Sequence, residues 1–166
     1  MGELGQCVSF YRLPMKVLPH TAVRARLLAQ DILLGAATEW LQKLGFVSYH
    51  KVLRRPAMGV GAAPEVGNVR WDLTAPSYLR PMSTRDSGGA SPGFIVMDVV
   101  LGAEVTEEAL AYFLSKCGMV WRQRKSRPLL PFLIADSFSK EALHAGRSVG
   151  AVLATPSALF GDEIAR

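Results

Sequence analysis

The sequence predicts a single α/β domain with a mixed central sheet flanked by helices. Three apolar, strand-like segments follow one another after a first helix, which favours an antiparallel meander. Two helices then alternate with two further apolar strands, which favours parallel crossovers. A length of 166 residues and a hydrophobic content of 49% fit one domain over residues 1–166 that buries a substantial core.

The first half of the chain predicts a long amphipathic helix and three strands. Residues 1–20 are assigned either to an N-terminal extension or to an edge strand interrupted by Pro14. Thr21 is the predicted N-cap, apolar residues recur at helical spacing through Leu44, and Gly45 ends the helix. Residues 46–56, 69–76 and 93–102 are the predicted strands, and a long loop rich in Pro, Ser and Gly precedes the third.

The second half predicts alternating helices and strands. Thr106 caps a helix that ends at Gly118, and Ser139 caps a shorter helix after the apolar segment PLLPFLIAD. GAVLAT is the last predicted strand, and Thr155 with Pro156 begins a terminal helix. The predicted order is therefore α-β-β-β-α-β-α-β-α.

Composition excludes several classes of protein. No apolar run is long enough for a simple membrane span, and the N-terminus lacks the pattern of a secretory signal. Cys7 and Cys117 are too few for a disulfide framework or a zinc site, so a cytoplasmic protein is expected. A net charge of +5 is compatible with a polyanionic partner such as DNA.

Two stretches of the chain resemble a known superfamily. The leading helix ends in LGF, and the closing half contains SKEALHAGRSVG followed by AVLATPSALF. Over about Thr21 to Leu159 the chain resembles the restriction-endonuclease-like superfamily, the PD-(D/E)xK nucleases. The resemblance implies a restriction-endonuclease-like mixed sheet and a metal-dependent DNA endonuclease, in which carboxylates hold Mg²⁺ or Mn²⁺ and the metal activates water. It also implies, by analogy, a homodimer or a place in a larger protein complex.

Three residues are the catalytic candidates that follow from this resemblance. Asp72 and Asp98 occupy the positions of the two metal-binding carboxylates. Val100 stands where the family has its lysine, and valine neither carries charge nor donates a hydrogen bond. Lys116 on the following helix, or Lys51 on the first strand, is therefore expected to replace the missing lysine.

Asp98 is the candidate that the sequence singles out most strongly. A carboxylate in an otherwise apolar strand needs a partner, a metal ion or a raised pKa when it is buried. Glu39 on the first helix is a further candidate carboxylate, or else a solvated helix residue. The alternative to an active site is a catalytically silent fold that serves partner binding or assembly.

Basic residues cluster in the segment WRQRKSRP, which also contains Trp121. The cations predicted to bind nucleic acid are Arg122, Arg124, Lys125 and Arg127. A solvated loop is the alternative interpretation. Further arginines that extend this predicted basic rim are Arg54, Arg55, Arg70, Arg80 and Arg85.

Two strings match motifs of other enzymes without the required context. GASPG matches the nucleophile motif of serine hydrolases, but a strand follows it, so Ser91 is predicted to lie in a turn. GVGAAPEVG lacks the G-K-[ST] ending of a phosphate-binding loop and is predicted to be a hairpin loop. The three histidines lack metal-ligand spacing.

Overall fold

The computed structural model describes residues 20–57, 61–86, 88–123 and 127–161. The helices of this part of the chain are α1 (His20–Lys43), α2 (Glu107–Trp121), α3 (Lys140–Ser148) and α4 (Pro156–Phe160). The strands of the main sheet are β1 (Leu53–Arg54), β4 (Leu73–Ser77), β7 (Gly93–Val105), β8 (Leu129–Phe138) and β9 (Val152–Ala154). Two separate hairpins are β2 (Glu65–Val66) with β3 (Val69–Arg70), and β5 (Thr84–Asp86) with β6 (Gly89–Ser91).

The five-stranded sheet has the order β1-β4-β7-β8-β9. β1, β4 and β7 are antiparallel neighbours, whereas β7, β8 and β9 are parallel. Parallel strands need a crossover connection, and α2 and α3 supply the two crossovers. The predicted mixed sheet flanked by helices is confirmed, and its finer classification as restriction-endonuclease-like stays a prediction.

The sheet separates two apolar cores. Alternate residues of β7 point to opposite faces, so Ile95 and Met97 pack on the α1 side while Val96 and Val100 pack on the α2 side. Because both faces are covered, β7 reads in the sequence as a nearly continuous apolar run. This arrangement places Asp98, near the middle of β7, in a buried environment.

The predicted caps of three helices are confirmed. The side-chain hydroxyls of Thr106, Ser139 and Thr155 accept hydrogen bonds from backbone N–H groups in the first turns of α2, α3 and α4. Gly45 follows α1 with a φ of 70°, as expected of a glycine after a helix end. None of the helices in the described ranges is long and apolar enough to cross a membrane.

Several predicted boundaries were wrong. α1 already includes His20 and Thr21, and α2 continues past Gly118 to Trp121. Only Leu53–Arg54 of the predicted strand 46–56 pairs with the sheet, because the chain before it turns at Ser48, whose carbonyl accepts from Lys51 N–H at 3.2 Å. Residues 1–19 lie outside the described residues, so their prediction is not tested.

Two predicted loops contain hairpins, and one predicted strand is broken. The stretch 69–76 divides into β3, which pairs with β2, and β4, which enters the main sheet after Trp71 and Asp72. The loop before β7 contains β5 and β6, so Ser91 lies in a short strand and its assignment to a turn was wrong. β7 extends beyond its predicted end to Val105. The break at Asp72 leaves this residue just outside the regular β4–β7 ladder, beside the middle of β7.

Candidate functional site

Four charged side chains meet where β4 begins beside the middle of β7. The register pairs Leu73 with Met97, so Asp72 lies immediately next to Asp98 on the neighbouring strand. Arg55 reaches this point from the residue after β1, and Lys116 reaches it from α2. Arg55, Asp72, Asp98 and Lys116 together are termed the buried charge cluster.

The two carboxylates exchange hydrogen bonds with the opposite backbone. Asp72 N–H donates to Asp98 Oδ1 at 3.2 Å, and Val99 N–H donates to Asp72 Oδ2 at 2.8 Å. Regular β4–β7 pairing begins only at Leu73. These side-chain bonds therefore satisfy the backbone at the point where the ladder stops.

Each carboxylate also pairs with one cation. Arg55 Nε lies 2.8 Å from Asp72 Oδ1, and Lys116 Nζ donates to Asp98 Oδ2. Arg55 is held further by Gln30 of α1, whose Oε1 accepts from its guanidinium at 2.9 Å. Two acids and two bases thus give a cluster with no formal net charge, and every carboxylate oxygen has a donor or cation as partner.

Lys116 supplies a buried cation beside Asp98, where Val100 supplies none. Even-numbered residues of β7 face α2, and Val100 packs there in the apolar core. The lysine comes instead from the helix that covers this face, and its ammonium also lies 4.3 Å from the ring centre of Trp71. Lys116 is only 9% exposed and Asp98 only 2% exposed. The apolar flanks of Asp98 predicted that it needs a partner, and Lys116 is that partner.

Burial also alters the acidity of two groups. Burial, together with the neighbouring Asp98 carboxylate, raises the pKa of Asp72 from 3.8 to about 6, although the Arg55 guanidinium opposes both effects. Burial, with a smaller contribution from Asp98, raises the pKa of the Cys117 thiol to about 12. The thiol therefore stays protonated at neutral pH and behaves as an apolar core group.

The structure brings together three of the predicted site residues and leaves two others apart. Asp72, Asp98 and Lys116 meet in the buried charge cluster. Lys51 is exposed just before β1, and Glu39 is exposed on α1, where its Oε2 lies 3.7 Å from Lys43 Nζ. Lys51 and Glu39 therefore lie outside the buried charge cluster, away from Asp72 and Asp98.

Arg55 is a member of the cluster that was not predicted from the sequence. It was assigned to the exposed basic rim, but its side chain is only 12% exposed and pairs with Asp72. The backbone of Arg55 also donates to the Asp72 carbonyl at 2.8 Å, so strand register brings the two residues together. Arg54 and Arg55 are adjacent arginines in the sequence, so only the strand register shows that Arg55 is the one that turns inward.

The donor set of the cluster is a poor fit to a divalent metal ion. Mg²⁺ prefers octahedral oxygen coordination, and all four carboxylate oxygens of Asp72 and Asp98 already accept from a cation or a backbone N–H. Among the described residues, no group of three or more His, Cys, Asp or Glu side chains is close enough to hold a metal. A metal ion at both carboxylates would have to displace Arg55 or Lys116. Binding of Mg²⁺ or Mn²⁺ stays a prediction.

A second group of charges gathers at one end of the sheet. Ser77 at the end of β4 pairs with Gly93 at the start of β7, and Phe94 N–H donates to the carbonyl of Pro128, just before β8. α2 returns to this same end because it connects two parallel strands. The exposed cations here, termed the basic end, are Lys51, Arg80, Arg85, Arg122 and Arg127.

Close packing holds the segments of the basic end together. A Cβ atom on Gly93 would lie 2.3 Å from the Met82 carbonyl oxygen and 2.7 Å from that of Pro128, so only glycine allows this approach. The Arg127 guanidinium carbon lies 5.8 Å from the ring centre of Phe94. Exposed aromatic residues, Tyr49, Tyr78 and Trp121, lie on the same segments.

The other predicted members of the basic rim lie in different surroundings. Arg124 and Lys125 lie outside the described residues. Arg54 packs against α1 near Gly35, and Arg70 Nε pairs with Glu65 Oε1 at 3.0 Å. Of the five arginines expected to extend the rim, Arg80 and Arg85 therefore belong to the basic end.

The opposite end of the sheet carries acidic residues. β7 and β8 end there, and α2 and α3 begin there. Acidic side chains at the start of a helix interact favourably with its dipole, which gives this group a structural role. The exposed acids of this acidic end are Glu104, Glu107, Glu108, Asp136 and Glu141. Two cations also lie at this end: Lys140 among the acids, and Arg26, whose guanidinium lies beside Gly102.

Comparison with known proteins does not assign the chain to a family. The chain matches no family model, no curated protein and no solved structure. Its resemblance to the restriction-endonuclease-like superfamily therefore stays a prediction that rests on the sequence.

Proposed function

We propose that this chain is a nucleic-acid-binding domain that holds the phosphodiester backbone at its basic end and does not hydrolyse it. The observation that carries this proposal is the separation of exposed charge along the sheet. Lys51, Arg80, Arg85, Arg122 and Arg127 occupy one end, whereas five exposed acids occupy the other. Such a field attracts a polyanion to one end and releases its counterions there.

Aromatic residues at the basic end support a nucleic acid over other polyanions. Tyr49, Tyr78 and Trp121 are exposed beside the cations. Exposed rings stack on bases in proteins that bind single strands, while nearby cations follow the backbone. An inorganic polyphosphate would use the cations but would leave these rings without a role.

The buried charge cluster supports binding without hydrolysis. Its two acids are already neutralised by Arg55 and Lys116, and Asp98 is nearly inaccessible. Metal-dependent hydrolysis needs carboxylates that are open to the metal and its waters. In this proposal the cluster joins α1, β4, β7 and α2 and has a structural role.

Fluorescence anisotropy with labelled single-stranded and double-stranded DNA and RNA tests the proposal. Replacing Arg85→Gln and Arg122→Gln together should weaken binding to every sequence, because these cations are expected to bind phosphates. The slope of log K against log salt should become shallower by about 0.7 to 0.9 for each phosphate that the variant no longer neutralises. Neither arginine takes part in the buried charge cluster, so the fold should be retained.

Lys140→Glu is a matched control at the acidic end. It changes the net charge by the same amount as the two arginine substitutions but leaves the basic end intact. Binding that weakens strongly in the Arg85→Gln/Arg122→Gln protein and little in the Lys140→Glu protein is the expected result. Equal weakening in both would mean that only net charge matters, and no binding by the wild-type protein would overturn the proposal.

A further inference from the structure

Helix α1 is apolar on its outer side as well as on its inner side. Leu34, Ala37 and Leu41 are buried against the sheet. On the opposite side, Leu28 is 56% exposed and Ile32 is 65% exposed. A contiguous group of exposed apolar side chains is a candidate surface for contact with another protein.

The apolar residues of the outer side form a continuous stripe. Positions separated by three or four residues lie on the same side of a helix, one turn apart. The outer stripe of α1 consists of Ala25, Leu28, Ile32 and Ala36. Its alanines leave room for close approach of a second helix, and packed helices in proteins lie about 8–10 Å apart.

Charged residues mark the two ends of the outer stripe. Arg24 is exposed just before it, and Glu39 is exposed just after it on the same side of the helix. Among the described residues, Glu39 pairs with Lys43 at 3.7 Å, and both of these side chains are more than two-thirds exposed. Such a pair is weak, so Glu39 remains available to a stronger partner.

The charge pattern distinguishes the two ways in which a second copy can pack. In a parallel pair, Arg24 would face Arg24 of the partner subunit and Glu39 would face Glu39 of the partner subunit. In an antiparallel pair centred on Ile32, Leu28 faces the partner's Ala36, and Arg24 approaches the partner's Glu39. Only the antiparallel arrangement is complementary in charge as well as in shape.

We propose that the chain forms a twofold homodimer in which α1 packs antiparallel against α1 of a second copy, centred on Ile32. The apolar stripe supplies the contact area, and two Arg24–Glu39 pairs fix the register. This inference does not rest on the proposed function, because the outer stripe is separate from the basic end.

Sedimentation equilibrium of the full chain over a range of concentrations tests the proposal. The wild-type protein should show reversible association from the 18.0 kDa monomer to a dimer. Ile32→Glu should abolish the dimer, because it places two carboxylates at the centre of the contact. Met119→Glu, which changes an exposed apolar residue on α2, is the matched control and should leave the association unchanged.

A charge exchange tests the register. Arg24→Glu and Glu39→Arg should each raise the dimer dissociation constant by about tenfold or more, because each places like charges together. The double variant should return the constant close to the wild-type value. Circular dichroism of every variant should show unchanged helix content, since all three positions are exposed.

Three results would overturn the proposal. A wild-type protein that remains monomeric at every concentration would exclude the dimer. A dimer that persists in the Ile32→Glu protein would place the contact elsewhere. A dimer that the double charge exchange does not restore would exclude the antiparallel register.

Discussion

The buried charge cluster and the basic end use the same kinds of residue in opposite ways. In the cluster, Arg55 and Lys116 each have an acidic partner inside the fold, and no formal charge remains. At the basic end, five exposed cations lie together, and exposed acids are concentrated at the far end of the sheet. Removing one member of an internally neutralised pair destabilises the fold, whereas charge gathered without local compensation is available to a partner.

This difference matters because a count of charges does not distinguish the two regions. Arg54 and Arg55 are neighbours in the chain, yet one is exposed and the other pairs with a largely buried aspartate. Variants of the cluster should therefore change the free energy of unfolding, and variants of the basic end should chiefly change binding. Substitutions in each region test this division.

Asp98→Ala should have the strongest effect of these substitutions. It leaves Lys116 buried without its carboxylate, and removing one partner of a buried ion pair costs about 3–5 kcal/mol. The free energy of unfolding in urea should fall by this amount. The exposed Met119→Ala change on α2 is the control and should alter it by less than about 0.5 kcal/mol.

A double substitution separates the charge effect from a loss of packing. Asp98→Asn with Lys116→Met removes both charges at once and should cost less than the sum of the two single changes. A loss under about 1 kcal/mol for Asp98→Ala would contradict the structural role of the cluster.

Gly93→Ala should disturb the basic end without touching the buried charge cluster. The added methyl group would collide with the carbonyl oxygens of Met82 and Pro128, which are backbone atoms and cannot move aside easily. Overpacking of this kind costs about 1–3 kcal/mol. We also expect weaker nucleic-acid binding, measured by anisotropy below the unfolding transition. Unchanged stability would show that these segments are not held together as described.

Asp72 gives the fold a specific dependence on pH. Its pKa is raised on folding, so the folded state holds this proton more tightly than the unfolded chain does. The resulting stabilisation is full below pH 3.8 and is lost as the pH rises to about 6. The unfolding free energy of the wild-type protein relative to Asp72→Asn should fall by about 1–3 kcal/mol across this window. A difference that rises with pH would contradict the assigned cause.

Cys117 should give the smallest effect of the four, because the test measures the reactivity of its thiol and not the stability of the fold. The thiol is buried beside Lys116 and Asp98, and its pKa is about 12. In a Cys7→Ser protein, alkylation of Cys117 at neutral pH should therefore be very slow until urea unfolds the chain. Mass spectrometry of the labelled protein measures this rate. Rapid alkylation of the folded protein would show that the cluster region opens easily.

Much of the fold could be predicted from residue pattern. The apolar strands, the three hydroxyl caps and Gly45 act locally, so their sequence signals were reliable. The predicted strand 46–56 was mostly wrong, because a turn at Ser48 and Lys51 competes with pairing to β4. The alternation of apolar and polar residues does not show which part of a strand-like segment will pair with a neighbouring strand.

The candidate site could be predicted only in part. The apolar neighbours of Asp98 indicated that it needs a partner, and Lys116 was one of two candidate lysines. The choice between Lys116 and Lys51 depends on how α2 packs over β7, which local sequence does not specify. Arg55 was missed for a related reason, because strand register alone places it beside Asp72.

A cleavage assay with binding measured in the same solutions decides between a binding domain and a nuclease. Labelled DNA and RNA would be incubated with Mn²⁺ and wild-type or Asp98→Asn protein, with a chelator in parallel samples. We expect the nucleic acid to be bound by the wild-type protein and to remain intact in every sample. Cleavage by the wild-type protein that is lost with chelator would contradict binding without hydrolysis. Its loss in an Asp98→Asn protein that circular dichroism shows to be folded would show that Asp98 acts in catalysis.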